Sequence, residues 1–248
     1  MLLILSFHLF MNASELSSEP ADMHTFLDEL QFPSVNPELV TQLDSALTIQ
    51  ELNLASQSMQ NNKAPGPDGF PVEFFKAFRA KLIPLLHSVY VESLSLGCLP
   101  PTLRQASISV LLKKDKDPDL CTSYRPISLM NVDTKILAKA LACRLERVLP
   151  TIISKEQTGF IKGRQLYYNV RTLLNVIYSK ETTVTPEVVI PIDAEKAFDR
   201  VEWHYLFAVL AKFGFGKSFI SWIHLLYTLS CASITSNNNC PSLIFLSN

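Results

Sequence analysis

Residues suited to chemistry gather between positions 188 and 203, where an apolar run, Val188–Ile192, leads directly to the carboxylate of Asp193. Phe198 and a second acid, Asp199, follow within six residues. The run predicts a strand, and a carboxylate at a strand end is a suitable Mg²⁺ ligand for phosphoryl transfer. Asp is also a favoured helix N-cap, so the spacing alone leaves both interpretations open. A two-metal site needs several carboxylates, yet the sequence has no adjacent Asp-Asp pair.

Two groups of basic residues are candidates for phosphate contacts. The first comprises Lys113, Lys114, Lys116 and Arg125, all within thirteen residues, and the second comprises Lys162 and Arg164 in the glycine-containing stretch 159–164. Arginine grips phosphate with a planar fork, lysine acts as a point charge, and glycine lets a backbone come close. The alternatives are a solvated hairpin turn for the first group and an ordinary surface loop for the second.

Charge is distributed unevenly along the 248 residues, although the net charge is only −1. Residues 1–62 carry eight acids and no Lys or Arg, whereas residues 104–164 carry twelve bases and six acids. A basic middle segment suits contact with a polyanion, and a merely solvated surface explains it equally well. The hydrophobic fraction of 48% is ample for a core and excludes global disorder.

Cysteine usage and the N-terminus bear on the compartment. The five cysteines are scattered, with no CxxC and no His at metal-ligand spacing, which disfavours a disulfide framework or a zinc site. The apolar first ten residues and the sequon at Asn12 imitate a secreted protein. The run lacks a basic leading region and is too short to span a bilayer, so we expect an intracellular chain, in cytoplasm or nucleus, with no membrane partner.

The hydrophobic pattern predicts an α/β chain that is rich in helix. Glu15–Pro37 has the composition of a loose linker, and the tail after Ser233 lacks a pattern. Helices are predicted after a capping box at Thr48 and Glu51, after Pro71, and over Leu85–Leu96, Asp133–Leu149, Arg164–Lys180, Phe198–Phe213 and Lys217–Thr228, with strands over Ala106–Leu112 and Tyr124–Leu129. Pro84 is expected to break or kink its helix, and Pro150 to end the helix before it.

Five collinear segments resemble the reverse transcriptase of non-LTR (LINE-type) retrotransposons. They are NKAPGPDGFPVEFFK (62–76), LLKKDKDP (111–118), YRPISLMNVDTKILAKALACRLE (124–146), QTGFIKGRQ (157–165) and IDAEKAFDRVEW (192–203). The resemblance runs from about Leu43 to Thr235 and implies a partial right-hand polymerase fold, with fingers and the first part of a palm.

The resemblance also implies a role for each candidate residue. Asp193 corresponds to the first metal-binding aspartate of the palm, and Phe198 to the aromatic gate that excludes a ribose 2′-hydroxyl. Lys113 and Arg125 correspond to fingers residues that face the incoming triphosphate. Lys162 and Arg164 belong to a segment near template and nucleotide. The implied cofactor is Mg²⁺, and the implied partners are an RNA template, a DNA primer and dNTPs.

Three departures from the family pattern limit the expected activity. The segments with the later metal-binding acids, including the Ala-Asp-Asp turn, and the thumb are not found in the sequence. Pro191 precedes Asp193 where a palm strand needs a backbone donor. The apolar leader and the Asn-rich end do not resemble the family. We therefore expect a fragment, truncated before the Ala-Asp-Asp motif and catalytically incomplete; the alternative is a non-catalytic nucleic-acid-binding remnant.

The predicted organisation has four parts. Residues 1–42 form an acidic leader and linker, and residues 43–103 form a helical N-terminal extension of the reverse transcriptase. Residues 104–235 form the partial reverse transcriptase domain, and residues 236–248 an irregular tail.

Overall fold

The computed structural model of the chain describes residues 20–179, 188–193, 201–234 and 244–245. It divides into two compact units. The helical unit comprises residues 1–40 and 145–215, and the sheet unit comprises residues 41–144 and 216–248. The architecture is α/β and helix-rich, as the sequence predicts.

The described residues form ten α-helices and four strands. The helices are α1 (Pro20–Glu29), α2 (Pro37–Asp44), α3 (Ile49–Ser58), α4 (Val72–Ala77), α5 (Arg79–Leu96), α6 (Val132–Leu145), α7 (Leu149–Ile152), α8 (Tyr167–Ile177), α9 (Trp203–Lys212) and α10 (Lys217–Tyr227). The strands are β1 (Gln105–Leu112), β2 (Tyr124–Met130), β3 (Cys231–Ile234) and β4 (Ile244–Phe245).

A mixed sheet in the order β2-β1-β3-β4 organises the sheet unit. Strands β1 and β2 form an antiparallel hairpin in which Ala106 pairs with Met130 and Leu112 with Tyr124. Strand β3 lies parallel to β1, and β4 lies antiparallel to β3. Both strands of the hairpin are predicted by sequence, and both are confirmed. Strand β3 begins at Cys231, before the tail that lacks a sequence pattern, whereas β4 lies within that tail.

Helices α3, α5, α6 and α10 supply the apolar core of the sheet unit. Their fully buried side chains include Leu52, Ile83, Tyr90, Ile136, Leu137, Leu141 and Phe219. The helix predicted over Asp133–Leu149 is present as α6, which ends at Leu145, before Pro150. Pro150 instead lies in the first turn of α7, where its missing N–H costs nothing. Pro84 lies inside α5, which continues through it.

Arg144, at the end of α6, makes five side-chain hydrogen bonds within the sheet unit. Its side chain is 6% exposed, and its Nε lies 2.6 Å from Oε1 of Glu51. Its terminal nitrogens donate to the main-chain carbonyls of Leu43 (2.8 Å), Ser45 (2.7 Å) and Ala46 (2.9 Å). The predicted capping box is confirmed, because Glu51 also accepts from the backbone N–H of Thr48 at 2.9 Å. Arg144 therefore ties α6 to the turn that precedes α3.

The described part of the helical unit is built around α1 and α9. Leu27 of α1 and Leu206 of α9 have no exposed surface, and Asp28 forms an ion pair with Lys212. The backbone N–H of Val35 donates to the carbonyl of Phe213 at 2.9 Å. The interpretation of Glu15–Pro37 as a loose linker is therefore wrong from Pro20 onward, because Leu27 gives the acidic segment an apolar anchor. Helix α8, by contrast, has no buried residue.

The described residues bear on two features, membrane-spanning helices and the state of the cysteines. None of the helices found there is both long and apolar enough to cross a membrane. Among the described residues, Cys98, Cys121, Cys143 and Cys231 are free thiols.

Candidate functional site

The β1–β2 hairpin brings together two of the predicted site residues, Lys113 and Arg125. Arg125 pairs with Leu111, and the backbone N–H of Lys113 donates to the carbonyl of Ser123 at 2.8 Å, one step beyond the end of β1. Residues 111 and 113 lie on the same face of the ribbon because side chains alternate along a strand. Lys113 and Arg125 are therefore diagonal neighbours on one face, within reach of a common ligand.

The hairpin cations differ in how freely they present their charge. The Nζ of Lys113 donates to the carbonyl of Thr122 at 2.8 Å, which fixes the ammonium over the turn and leaves two of its donors for other partners. Arg125 is exposed and has no side-chain partner among the described residues. Lys114 and Lys116 are exposed beside them. The hairpin thus offers a forked donor and a point charge on a ribbon fixed by a ladder of main-chain hydrogen bonds.

Lys162 and Arg164 lie in the helical unit and have different environments. Lys162 is 80% exposed, and its Nζ lies 3.7 Å from Oε2 of Glu146, a distance that leaves the ammonium largely hydrated. The Arg164 guanidinium donates to four main-chain carbonyls, those of Pro150, Ile153, Ser154 and Gln157. Arg164 therefore ties α7 and the residues that follow it to the loop that carries Lys162. The prediction that Arg164 itself contacts nucleic acid stays a prediction.

Asp193 is exposed, and the described residues 188–193 form no strand. The expectation of a strand that ends at Asp193 is thus wrong in this structure. Pro191 removes a ladder donor, and the apolar side chains of Val188 and Ile192 are 79% and 75% exposed. Phe198 lies outside the described residues, so its predicted role stays a prediction.

The glycine-rich loop 63–69 is held in place by a buried asparagine that the sequence analysis did not single out. Asn131 is 3% exposed, and its side-chain oxygen accepts from the backbone N–H of Asp68 at 3.2 Å. Its amide nitrogen donates to the carbonyl of Thr102 at 2.9 Å. The next helix begins beside this contact, and burial raises the pKa of the Asp133 carboxyl. The buried Asn131 side chain therefore fixes the position of the loop within the motif segment 62–76.

Metal-binding capacity is limited in the part of the chain that the structure describes. No group of three or more His, Cys, Asp or Glu side chains converges there. Asp193 offers an exposed carboxylate, which suits a hard cation but supplies one ligand group. The donor set therefore fits a contribution to a divalent-metal site rather than a complete two-ion centre.

The β1–β2 hairpin presents exposed basic residues on a helix-rich α/β framework. The family described as reverse transcriptase (RNA-dependent DNA polymerase) matches residues 111–246, more than half of the chain. The chain belongs to this family. The match includes the hairpin tip, Asp193 and β4, and it continues beyond residue 235, where the predicted domain ends.

Several proteins of mobile elements are similar to this chain. The Transposon TX1 uncharacterized 149 kDa protein of Xenopus laevis is 36% identical over 79% of this chain and 15% of that protein. The RNA-directed DNA polymerase from mobile element jockey of Drosophila melanogaster is 30% identical over 64% of this chain and 18% of that protein. The putative 115 kDa protein in type-1 retrotransposable element R1DM of the same species is 27% identical over 81% of this chain and 20% of that protein.

These similarities confirm the resemblance to LINE-type reverse transcriptases that the sequence motifs carry. The chain spans between 15% and 20% of the length of these three relatives. Reverse transcriptases act on nucleic acid and generally use divalent metal ions.

Proposed function

We propose that this chain supplies the fingers and the first part of the palm of a LINE-type RNA-directed DNA polymerase. The observation that carries the proposal is the placement of Lys113 and Arg125 on one face of the β1–β2 hairpin. The complete enzyme would copy an RNA template by extending a DNA primer with dNTPs. We propose that the enzyme would act in the cytoplasm or nucleus, where these substrates occur.

The proposed reaction is attack of the primer 3′-hydroxyl on the α-phosphate of a dNTP. A new phosphodiester bond forms, the bond to the β-phosphate breaks, and pyrophosphate leaves with the negative charge. Arg125 would bind the triphosphate through its fork, and Lys113 would add a second positive charge beside it. Both charges would stabilise the departing pyrophosphate. Because the hairpin backbone that carries them is already ordered, little rearrangement of the protein would be needed during the reaction. Phe198 would close the sugar pocket against a 2′-hydroxyl.

Asp193 is the residue we assign to the metal. In a complete enzyme, two Mg²⁺ ions would act as Lewis acids on the reacting phosphate. Asp193 would be one of their carboxylate ligands, and its exposure in the described residues leaves it accessible. One carboxylate cannot position two ions, so we propose that the chain is catalytically incomplete.

Primer extension tests this proposal directly. We expect no incorporation when the purified chain is given an RNA template, an annealed DNA primer, dNTPs and Mg²⁺. Circular dichroism checks that the protein is folded, and Asp193→Asn is the matched variant. Extension that disappears in Asp193→Asn would show that a full set of metal ligands is assembled, which contradicts catalytic incompleteness and supports the role of Asp193.

A non-catalytic nucleic-acid-binding remnant is the second candidate function, and the exposed hairpin cations favour it. We expect the chain to bind single-stranded RNA with an affinity that falls as salt rises, because bound Lys and Arg displace counterions. The slope of log affinity against log salt is negative. Lys113→Gln and Arg125→Gln should each make it shallower by about 0.7. Titrations between 50 and 200 mM salt would measure it.

The matched control is Lys217→Gln, which removes an exposed lysine from the first turn of α10 in the same unit. It should leave the slope unchanged. Equal effects of all three substitutions would show that only total charge matters, and would remove the hairpin as a defined contact.

A further inference from the structure

Three phenylalanine rings lie in contact, one after another, on the surface at the start of α4 and α5. This aromatic ladder consists of Phe70, Phe74 and Phe78. The Phe70 and Phe74 ring centroids are 4.7 Å apart with the planes 29° from parallel, and those of Phe74 and Phe78 are 5.1 Å apart with the planes tilted by 54°. The two end rings are 47% and 53% exposed. Single exposed apolar side chains are ordinary, but three rings in contact, two of them about half exposed, form one continuous apolar surface.

The aromatic ladder is held in place by the buried Phe75 ring and by main-chain hydrogen bonds. Phe75 is 6% exposed, and its ring meets the central Phe74 ring edge-on at 5.6 Å. The backbone N–H of Phe78 donates to the carbonyl of Phe74 at 3.1 Å, so the stack crosses the junction of α4 and α5. The backbone N–H of Phe70 donates to Oδ1 of Asp68 at 3.0 Å, and the N–H of Asp68 is in turn held by Asn131. A partner therefore meets rings that are already ordered.

The charges around the aromatic ladder are mainly positive. Between residues 63 and 81 there are four basic residues and two acids. Lys63, Arg79 and Lys81 are exposed and have no side-chain partner among the described residues. Lys81 lies three residues beyond Phe78, and its backbone N–H donates to the Phe78 carbonyl at 3.0 Å, which places it one turn further along the same face.

The two acids of this segment are occupied by backbone donors. The Glu73 carboxylate accepts from the N–H of Asn62 at 2.6 Å, which lowers the pKa of Glu73, and Asp68 accepts from Phe70. Both carboxylates stay ionised, and the four bases against two acids leave this segment with a net charge of +2 beside the aromatic rings. Cores of protein–protein interfaces are depleted of lysine, whereas surfaces that bind single-stranded nucleic acid combine stacking rings with positive charge.

We propose that the aromatic ladder is a binding site for single-stranded nucleic acid, with bases stacked on the outer faces of Phe70 and Phe78. Lys81 and Arg79 contact the adjoining phosphates. The site is separate from the Lys113–Arg125 face and needs no polymerase activity, so it goes beyond the proposed function. Because every base offers a ring face, binding tolerates many sequences but requires bases that are not paired within a duplex.

Fluorescence anisotropy with the full 248-residue chain and two labelled probes tests the site. The probes are a 20-nucleotide oligouridine RNA and a 20-base-pair RNA duplex. The double substitution Phe70→Ala, Phe78→Ala should weaken oligouridine binding at least tenfold, because stacking on one aromatic ring contributes about 1–3 kcal/mol. Duplex binding should change less than twofold. Phe78→Tyr keeps a ring at the end of the stack and should retain oligouridine binding within threefold.

The matched control is Leu85→Ala, which removes another exposed apolar side chain of α5, one that is 64% exposed and not part of the aromatic ladder. It should leave both affinities within twofold. Unchanged oligouridine binding by the double variant would overturn the site. An equal loss for both probes would overturn it too, since that points to charge or folding rather than stacking.

The Lys113→Gln, Arg125→Gln double variant separates this inference from the proposed function. If it loses oligouridine binding while the Phe70→Ala, Phe78→Ala variant keeps it, the hairpin binds and the aromatic ladder does not. The reverse result supports the aromatic ladder and removes the hairpin as the binding surface.

Discussion

Replacing Arg144 with methionine is expected to lower the free energy of unfolding by about 3–5 kcal/mol. Methionine keeps much of the volume of the side chain but none of its donors. The carbonyls of Leu43, Ser45 and Ala46 would then lose their Arg144 donors, and the Glu51 carboxylate would lose its cation. Leaving buried polar groups unpaired costs far more than the pair itself contributes.

The size of this effect is large relative to the whole stability of a domain. Folded domains are stable by about 5–15 kcal/mol, so the variant would lose a large share of that margin. Urea unfolding followed by circular dichroism at pH 7 measures the change. Arg147→Met is the matched control, because Arg147 is exposed and has no side-chain partner among the described residues. A loss below 1 kcal/mol for Arg144→Met would show that water reaches the orphaned carbonyls.

The same contact gives stability a defined dependence on pH. Burial raises the pKa of the Glu51 carboxyl, but hydrogen bonds from Arg144 and Thr48 outweigh it, and the net pKa is lowered from 4.5. A lowered pKa means that the charged form stabilises the fold above pH 4.5, and this stabilisation is lost as the pH falls through the lowered value. The unfolding free energy of Arg144→Met should therefore fall less on acidification than that of the parent chain.

Replacing Gly66 with alanine is the second substitution with a large expected effect. A Cβ at this position would lie 2.6 Å from the Cα of Asn131, and it would come closer still to the Asn131 backbone nitrogen and side-chain oxygen. Backbone atoms cannot swing aside as a flexible side chain can. We expect a loss of about 1–3 kcal/mol in unfolding free energy, as for overpacked cores. The shift should also break the hydrogen bond from Asp68 to Asn131.

Gly159→Ala is the control for the Gly66 substitution. A Cβ at residue 159 would meet only the Nε2 of Gln157 within 4 Å, at 3.5 Å, which is ordinary van der Waals contact. The free energy of unfolding, measured by urea titration with an unchanged m-value, should differ by less than about 0.5 kcal/mol from that of the parent chain, as at most surface sites. If Gly66→Ala were equally mild, the close approach of loop 63–69 to Asn131 would be contradicted.

Local patterns in the sequence predict the parts of the fold that depend on neighbouring residues. The capping box at Thr48, the β1–β2 hairpin and the buried face of α6 follow from spacing, and the structure confirms them. Arg144 also falls on that buried face, seven residues after Leu137, so its inward position could have been predicted. Its partners could not, because the carbonyls that it binds lie about a hundred residues away along the chain.

Elements that depend on distant partners escape such reasoning. Strand β3 has four residues and a composition without alternation, and it is specified by pairing with β1 rather than by its own pattern. The acidic segment before Pro37 is anchored by Leu27, which composition does not mark. The chemical roles of Asp193 and Phe198 rest on family resemblance, because one acid and one ring are consistent with several uses.

The pairing of β1 with β3 also means that β1 waits for its partner strand during synthesis on the ribosome. Strand β1 ends at Leu112, and its parallel partner begins at Cys231, so roughly 120 residues separate the two strands. At about 5–20 residues per second, the inner edge of the β1–β2 hairpin lacks its partner for about 6–24 s after it emerges. An unpaired strand edge is a template for association with other chains. Slow translation of residues 113–230 would therefore favour aggregation of the nascent chain, and a chaperone that covers this edge would favour folding.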